Sequence, residues 1–331
     1  MQNKLISIII INYNGLKWLE KCFNSILAQT YKNFEIIFVD NASIDDSVRF
    51  IEEKYIDIRI KIIKSKKNLG FAGGNNLGIK QAKGQYLLLL NNDTWVDSDF
   101  LEKMMKNFIQ SNCSIMGPIE ANYYTKKFKE YSIHLDLFGH SIYLFEKEKR
   151  NENFYLCGAC LLLKKKTYFH TKGLDGNFFM YAEDSDWFWR LQLMNVKICK
   201  NNVLVYHSGA GSTGAGIKYS SFLWRNQNTL QMLLKNYKWY NLMWVLPVYF
   251  IQNVFEIIFF LFLAKPMIAY SYIEGWMFNI KNFGKIMKKR RWVQKNRVVG
   301  DFEIIKKMYI GFAKPKHLIG YYYEKFVKKN I

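Results

Sequence analysis

Three short apolar segments, each ending in a cluster of polar residues, constrain the fold of this chain more than any other feature. Residues 5–11, 34–39 and 86–90 consist almost entirely of Ile, Leu, Val and Phe. Runs of this kind predict strands of a parallel sheet that is covered on both faces. Between the first two runs, residues 16–29 carry apolar side chains at helical spacing. Strand, helix and strand in this order predict a right-handed βαβ unit.

The polar clusters that end these strands predict a ligand site. In open parallel sheets, ligands bind at the carboxyl ends of the strands. The alternative is that these side chains only form turns and cap helices, which Asp and Asn do readily. Three neighbouring strand ends that are polar together favour a ligand. The clusters are Asn12-Tyr13-Asn14, Asp40-Asn41 and Asn91-Asn92-Asp93.

The chain is long enough for one large domain with an appendage. Further helices are predicted over residues 46–55, 74–82 and 98–110, and residues 111–170 alternate short strands and polar turns. We therefore predict a nucleotide-binding-type α/β half over 1–110 and a second half over 111–230 that binds the acceptor. A hydrophobic and basic helical region is predicted over 231–331.

The formal net charge of +21 is unevenly placed, because residues 281–331 hold 15 Lys and Arg against 3 acidic residues. A basic tail of this kind is expected to bind an anionic partner, either nucleic acid or an acidic lipid surface. The preceding segment, residues 244–264, is strongly apolar but is interrupted by Pro247, Gln252, Asn253 and Glu256. Its length is sufficient for a membrane-spanning helix, but its polar residues argue against such a helix. We expect an embedded or in-plane helix, with a true span and a buried core helix as alternatives.

The cysteines and the amino terminus give two further expectations. Five cysteines, with a single CxxC at Cys157 and Cys160, form no recognisable disulfide framework, and all five are expected to be reduced. The apolar run at the amino terminus is short and lacks a small-residue cleavage site. It is therefore predicted to be a buried strand and not a secretion signal.

Six motifs in order along residues 5–230 resemble the family 2 glycosyltransferases, in the branch similar to bacterial rhamnosyltransferases. They are ISIIIINYNG, VDNASIDDS, NLGFAGGNNLGI, LLLLNNDT, FFMYAEDSDWFWR and HSGAGS. The resemblance implies an α/β GT-A fold, a Rossmann-like nucleotide-binding α/β/α sandwich, here followed by a C-terminal helical membrane-associating region. It also implies a nucleotide-diphosphate-sugar donor, a divalent cation and inversion at the anomeric carbon.

The donor site that the resemblance implies lies at the strand ends and the Gly-rich segment. A pyrimidine needs an acceptor for its ring N–H and a flat side chain on its face, which Asp40 and Tyr13 supply. The segment 70–76 lets the backbone approach a ligand, and a helix beginning near Gly74 would point its N–H groups at phosphate. The full set of candidate donor-binding residues is Asn12, Tyr13, Asn14, Asp40, Asn41, Asn68, Gly70, Gly73, Asn75, Asn92 and Asp93.

Asp93 and His207 are the candidate metal ligands. Asn91-Asn92-Asp93 stands where the family carries an Asp-x-Asp type motif, so Asp93 is the sole carboxylate left in that loop. One or two carboxylates, waters and the donor phosphates satisfy Mg²⁺ or Mn²⁺, and an imidazole shifts the preference toward Mn²⁺. Without the resemblance, His207 would be read as a hydrogen-bonded polar residue at a strand end.

Asp184 matches the catalytic base of the family, which takes the proton from the acceptor hydroxyl. Glu183 is the alternative base, and a neighbouring carboxylate raises the pKa of such a group. The competing interpretation is that Glu183, Asp184 and Asp186 cap a helix starting near Asp186, where negative charge is favoured. Trp187 and Asp186 are the candidate acceptor contacts, although aromatic side chains more often pack in cores.

The sequence therefore predicts an inverting, metal-dependent transferase of rhamnose or another hexose from a dTDP- or UDP-sugar. Its acceptor would be a glycan or a lipid-linked molecule of cell-surface polysaccharide synthesis, on the cytoplasmic face of the membrane. A membrane-associated glycan- or nucleotide-binding pseudoenzyme is the main alternative. A nucleic-acid-binding protein lacks a reading motif, and a nicotinamide dehydrogenase lacks the fingerprint after the first strand.

Overall fold

The computed structural model describes residues 4–128, 131–145, 153–209 and 218–314. The chain divides into two compact units. Unit 1 comprises Met1–Glu130, Leu156–Trp187 and Val196–Ile217, and unit 2 comprises Tyr131–Tyr155, Phe188–Asn195 and Lys218–Ile331. This division does not test the predicted domain bounds, which stay predictions.

Unit 1 is built on an eight-stranded sheet in the order β3-β2-β1-β4-β9-β6-β10-β5, and unit 2 holds the hairpin β7-β8. Strands β3, β2, β1 and β4 are parallel to one another, whereas β9 is antiparallel to both of its neighbours, β4 and β6. Strand β10 runs parallel to β6 and antiparallel to β5. The ten strands are β1 Ile6–Asn12, β2 Phe34–Asp40, β3 Ile60–Lys64, β4 Tyr86–Asn91, β5 Thr94–Val96, β6 Ile115–Asn122, β7 Tyr131–Leu135, β8 Ser141–Phe145, β9 Cys160–Lys164 and β10 Ile198–His207.

The helices cover both faces of the sheet in unit 1 and form most of unit 2. They are α1 Leu16–Leu27, α2 Ser47–Lys54, α3 Gly70–Ile79, α4 Phe100–Gln110, α5 Lys165–His170, α6 Glu183–Leu193, α7 Tyr219–Asn236, α8 Trp239–Phe262, α9 Pro266–Lys281, α10 Phe283–Asn296 and α11 Asp301–Lys307.

The core of unit 1 explains why the apolar runs are continuous. Helix α1 buries Leu19, Phe23 and Ile26 against alternate strand residues such as Ile8. Helix α3 lies so close to β1 that a Cβ at Gly78 would come within 2.7 Å of Ile9 Cγ2. Strands covered on both sides expose neither face to water, so no polar alternation is needed.

The predicted elements of the first 110 residues are present, with shifted ends. The βαβ unit, the third apolar strand and α4 agree with the sequence pattern within one or two residues. Strand β3 was not predicted, because its five residues IKIIK show neither a continuous apolar run nor a strict alternation, and it lies at one edge of the sheet. Two predicted helix starts are wrong, since α3 begins at Gly70 and α6 at Glu183.

The expectation of five reduced cysteines is also wrong for one pair. Cys113 and Cys199 form a disulfide with Cα atoms 6.2 Å apart, whereas Cys22, Cys157 and Cys160 are free. A sequence separation of 86 residues gave no spacing signal. The pair meets because Cys113 lies two residues before the start of β6 and Cys199 lies on β10, which are neighbouring strands.

Unit 2 has a core with many polar side chains. Buried amides of α7 include Asn226, Asn228 and Gln231. Arg290 of α10 donates to the carbonyl oxygens of Leu234 and Tyr237 at the end of α7. Among the described residues, α8 is the one helix long and apolar enough to cross a membrane, judged by length and composition.

Candidate nucleotide-sugar and metal site

Asp40, at the end of β2, has a free acceptor atom inside unit 1. Its Oδ2 accepts the backbone N–H of Ser43 at 3.1 Å. Its Oδ1 is buried and has no hydrogen-bond partner within the described part of the chain. Buried polar atoms are nearly always paired, so an unpaired acceptor of this kind indicates a ligand donor. The ring N–H of a pyrimidine is a donor that suits it.

The asparagines beside Asp40 bond to one another. Asn92 Nδ2 donates to Asn12 Oδ1 at 2.6 Å, and Asn12 Nδ2 donates to Ser43 Oγ at 3.1 Å. Asn14 Oδ1 accepts the N–H of Ile44 at 2.8 Å. These bonds tie the loops after β1, β2 and β4 together around Asp40. The neighbouring Tyr13 is half-buried, as a side chain that lines a ligand site would be.

Asn41 and Asn68 hold the start of the Gly-rich helix. Asn41 Nδ2 donates to Asn68 Oδ1 and to the Gly70 carbonyl oxygen, each at 3.0 Å. The N–H groups of Leu69 and Gly70 donate to the side-chain oxygens of Asn41 and Asn68. Two of the N–H groups at this terminus therefore already have partners. The sequence placed the helix start four residues later because it treated the glycines as a loop.

The remaining residues of the Gly-rich segment are tightly packed. Gly70 has a φ of +69°, and the Phe71 N–H donates to the Phe179 carbonyl oxygen at 2.9 Å. Asn75 is buried and donates to the Phe71 carbonyl oxygen, and Gly73 is half-buried. The donor-binding roles of Asn68, Gly70, Gly73 and Asn75 stay predictions.

Asp93 and His207 meet in unit 1 although they are 114 residues apart in the sequence. Strand β10 ends at His207, which pairs with Thr94 in the antiparallel ladder to β5. This register brings His207 Nε2 within 3.3 Å of Asp93 Oδ1. A backbone bond from the Ser208 N–H to the Asp93 carbonyl oxygen, at 3.1 Å, fixes the same approach.

Glu120 completes this cluster and was missed by the sequence analysis. It lies on β6, and its Oε1 is 2.8 Å from His207 Nδ1. Cys157 Sγ donates to the same oxygen at 3.2 Å. Burial lowers the pKa of His207, but the hydrogen bonds to Asp93 and Glu120 outweigh burial and raise the pKa to about 10. Two carboxylates on one buried imidazole therefore favour positive charge at this place.

Asp93 and His207 are candidate ligands of a divalent cation, which would have to replace the proton that the two carboxylates favour on the imidazole. Adjacent ligand atoms of an octahedral cation with ~2.1 Å bonds lie about 3 Å apart, close to the observed Oδ1 to Nε2 distance. A carboxylate on the other ring nitrogen is the usual partner of a metal-bound histidine. Within residues 4–128, 131–145, 153–209 and 218–314, no three His, Cys, Asp or Glu residues form a complete metal-ligand group. A cation here would need further ligands from the donor phosphates and from water.

Asp184 lies beside Gly158, next to the cysteine that contacts Glu120. A Cβ at Gly158 would stand 3.6 Å from Asp184 Oδ2. Burial raises the pKa of Asp184 above its ordinary value, and hydrogen bonds from Ser185 and from the Gly158 backbone oppose this only in part. A carboxylate with a raised pKa is a stronger proton acceptor when ionised.

The loop before α6 is strained where it presents Asp184. Tyr181 and Ala182 have φ values of +69° and +62°, which non-glycine residues rarely adopt. Strain of this kind collects at functional sites. Glu183, the alternative base, is the first residue of α6 and is also buried.

The two predicted acceptor contacts, Trp187 and Asp186, are buried in unit 1. Trp187 is completely buried, and its indole N–H donates to Thr171 Oγ1 at 2.9 Å. Its ring packs edge-on against Tyr168. Asp186 is also completely buried in the first turn of α6. Both side chains lie in the core of this structure, and their roles as acceptor contacts stay predictions.

The sheet order and the helices around it define an α/β protein of the GT-A type. Two solved structures share the fold. The crystal structure of GalNAc-T7 with UDP, GalNAc and Mn²⁺ has a TM-score of 0.58 at 14% identity, over 70% of this chain and 48% of that one. S. aureus TarS 1–349 in complex with UDP-GlcNAc has a TM-score of 0.51 at 16% identity, over 70% and 67%.

Residues 7–169 match the glycosyl transferase family 2 model. This part of the chain is thus similar to family 2 glycosyltransferases, in agreement with the predicted family and GT-A fold, whereas the activity of the whole protein is a proposal. The rhamnosyltransferase-like branch stays a prediction.

Two relatives come from Streptococcus pneumoniae serotype 4. Glycosyltransferase GlyA is 31% identical over 153 residues, covering 45% of this chain and 21% of its own length. Glycosyltransferase GlyG is 25% identical over 225 residues, covering 63% and 73%. An uncharacterized glycosyltransferase of Rickettsia conorii is 37% identical over 143 residues, covering 42% and 23%. The chain therefore spans less than a quarter of two of these relatives.

Proposed function

We propose that this protein transfers a sugar from a nucleotide-diphosphate sugar to an acceptor hydroxyl. The observation that carries the proposal is the unpaired, buried Oδ1 of Asp40 in the same unit as the Asp93–His207 pair. Asp40 Oδ1 can accept the ring N–H of a pyrimidine, and the Asp93–His207 pair can bind a cation that in turn binds the diphosphate. Solved relatives of the fold with UDP, UDP-GlcNAc and Mn²⁺ support this assignment.

In this proposal each side chain has one task. Asp40 and Tyr13 hold the base of the donor, and Glu120 fixes the ring of His207. Asp93 and His207 would hold Mn²⁺ or Mg²⁺, which neutralises charge on the departing diphosphate when bound. Asp184 takes the proton from the acceptor hydroxyl, and that oxygen attacks the anomeric carbon from the face opposite the diphosphate. The result is inversion.

We further propose that the donor is a dTDP- or UDP-sugar of rhamnose or another hexose. The acceptor would be a glycan or lipid-linked molecule of cell-surface polysaccharide synthesis, reached at the cytoplasmic face of the membrane. Support for the donor class comes from the nucleotide-sugar complexes of the fold relatives. Support for a membrane location comes from the apolar helix α8 and the basic residues that follow it.

The test is a panel of nucleotides and nucleotide sugars with Mn²⁺ or with EDTA, read by calorimetry and by release of nucleoside diphosphate. We expect one base to bind and one sugar to be hydrolysed or transferred when Mn²⁺ is present. Asp40→Asn should weaken binding of that nucleotide about tenfold or more, because it replaces an acceptor by a donor. The matched control is Asp99→Asn, whose carboxylate forms a surface ion pair with Lys103.

Two results would count against the proposal. Failure of every nucleotide to bind would overturn it. Donor binding that EDTA leaves unchanged, without turnover of any sugar, would favour the pseudoenzyme alternative.

A further inference from the structure

Helix α8 of unit 2 presents one face that is exposed and entirely apolar. Its outward side chains recur every three or four residues, which places them in a single stripe. Phe262 is 88% exposed, Met243 79% and Phe255 68%. The stripe consists of Tyr240, Met243, Trp244, Pro247, Ile251, Val254, Phe255, Ile258, Leu261 and Phe262. An exposed apolar stripe of this length marks an interaction surface.

The polar residues that interrupt the sequence of α8 lie on its opposite face. Tyr249, Asn253 and Glu256 are buried within unit 2. Glu256 Oε2 is 2.7 Å from Lys314 Nζ, and Tyr249 Oη donates to the Asn226 carbonyl oxygen of α7 at 3.4 Å. The outward stripe therefore carries no charge.

Helix α9 repeats the pattern. Its inward face carries Ser271, Gly275 and Asn279, and a Cβ at Gly275 would stand 3.1 Å from Asn226 Cβ of α7. Asn279 donates to the Gln227 carbonyl oxygen of α7 at 3.0 Å. Its outward face is exposed and apolar, with Met267, Tyr270, Ile273, Met277 and Ile280. Helices α8 and α9 pack on each other, so the two apolar stripes lie on neighbouring helices.

The next exposed face along the chain is cationic. The exposed cations at the end of α9 and along α10 are Lys281, Lys285, Lys288, Arg291 and Lys295. Of the two acidic residues between 239 and 296, Glu256 pairs with Lys314, whereas the half-buried Glu274 accepts a hydrogen bond from Tyr219 and keeps its charge. Five exposed cations therefore stand against one carboxylate in this part of the chain. Apolar stripes followed along the chain by an excess of exposed cations complement a surface that is apolar inside and anionic outside.

We propose that α8 and α9 lie in the plane of an anionic phospholipid bilayer. In this arrangement their stripes enter the boundary between headgroups and acyl chains, and the α10 cations contact the lipid phosphates. A second copy of the chain that used the same face is a poorer occupant, because it would bring further cations toward α10.

The same observations oppose a crossing by α8. A spanning helix must be apolar all round or bury its polar groups against other spanning helices. The inward face of α8 packs on α7, whose buried amides would have to enter the hydrocarbon with it. An in-plane helix needs only one apolar face. The apolar stripes and the α10 cations thus extend the membrane location proposed above to an in-plane arrangement. Lipid binding can be measured separately from sugar transfer, because it does not require transfer activity.

The test is flotation of the full chain with vesicles of phosphatidylcholine alone or with phosphatidylglycerol added. We expect binding to the anionic vesicles only. Phe255→Ser with Ile258→Ser, and separately Lys285→Glu with Lys288→Glu, should each lower binding at least tenfold. Lys66→Glu with Lys80→Glu changes the charge equally on exposed residues of unit 1 and should bind as the wild type does.

Two further measurements separate the other occupants. Calorimetry with the donor nucleotide checks that each variant is folded and separates failure of this proposal from failure of the proposed activity. Light scattering that shows a wild-type dimer, disrupted by the serine variant, would overturn the proposal in favour of a second copy. The proposal would also be overturned if the wild-type protein did not bind anionic vesicles, or if the unit 1 charge variant bound as weakly as the α10 variant.

Orientation is tested with Lys238→Cys and Lys265→Cys, which flank α8. An impermeant maleimide added to intact spheroplasts and to lysed ones reports the side of each residue. In-plane binding predicts that both cysteines react only after lysis. Reaction of one of them in intact spheroplasts would show that α8 crosses the bilayer.

Discussion

At the scale of single residues, the structure brings two predicted side chains, Asp93 and His207, together with one that was not predicted, Glu120. Asp93 and His207 were found because motifs mark both positions. Glu120 has no such signal, since nothing near it in sequence distinguishes it from any strand residue. Its importance arises from the register of β6 beside β10, which aligns Glu120 with Val205 and turns its side chain to the same face as His207. A contact of this kind follows from topology.

The first prediction concerns Glu120→Gln. The carboxylate holds His207 Nδ1 at 2.8 Å, and losing the outer partner of a metal-bound histidine typically costs 10–100-fold in affinity. We expect Mn²⁺ affinity, measured by calorimetry or by electron paramagnetic resonance titration, to fall by about that factor. Turnover should recover at saturating Mn²⁺. Unchanged Mn²⁺ affinity would show that Glu120 does not position the ring.

The second prediction concerns Asp184→Asn. Loss of a general base lowers the rate by about 10²–10⁴-fold, while the donor should bind as before. The buried carboxyl has a raised pKa in the folded protein, so its ionised form destabilises the fold above that pKa. The variant should therefore melt higher than the wild type at neutral pH. This advantage should shrink as the pH falls through the raised pKa and vanish below the unfolded value.

The third prediction concerns Ser185→Ala. The Ser185 hydroxyl donates to Asp184 Oδ1 at 3.3 Å and lowers the pKa of that carboxyl. Without this bond the ionised form is less favoured, so the pKa should rise further. The acid limb of the kcat/KM profile should move to higher pH, with little change in rate on the plateau. A limb that stays in place would assign the profile to another group.

At the scale of elements, the bounds of a helix or strand were predicted well where the sequence favoured one structure, and poorly where it favoured both a helix and a loop. The continuous apolar strands and the amphipathic α1 have a single interpretation. Helices α3 and α6 begin earlier than expected because their first turns are rich in glycine or acid, which are typical of loops and caps. Contacts with other segments, such as the bond from the Phe71 N–H to the Phe179 carbonyl oxygen, stabilise the helix there.

The fourth prediction tests that contact through Gly70→Ala. A Cβ at Gly70 would lie 2.0 Å from the Phe179 carbonyl oxygen, and the φ of +69° is unfavourable for alanine. We expect a loss of about 1–3 kcal/mol in the free energy of unfolding, measured by urea denaturation. Nucleotide binding should weaken as the start of α3 shifts. Gly176→Ala is the control, because its nearest neighbour is Asn76 Nδ2 at 3.5 Å.

At the scale of the whole molecule, charge and apolar surface suit one partner better than another. The net charge of +21 attracts any polyanion, nucleic acid included. The exposed stripes of α8 and α9 carry no charge, however, and contribute nothing to contacts with phosphate alone. An anionic bilayer can contact both the cations and the apolar stripes, whereas a nucleic-acid duplex can contact only the cations. The two partners are therefore separable by their dependence on salt.

The fifth prediction follows from this difference. Binding that depends on phosphate contacts alone falls by about 10³-fold or more between low and moderate salt when six or more phosphates are neutralised. We expect that steep loss for a generic DNA duplex and a much shallower one for vesicles containing phosphatidylglycerol, both measured by titration at matched salt. The Phe255→Ser and Ile258→Ser double variant should make vesicle binding as steep as duplex binding. Equal steepness in the wild-type protein would mean that the apolar stripes do not enter the lipid.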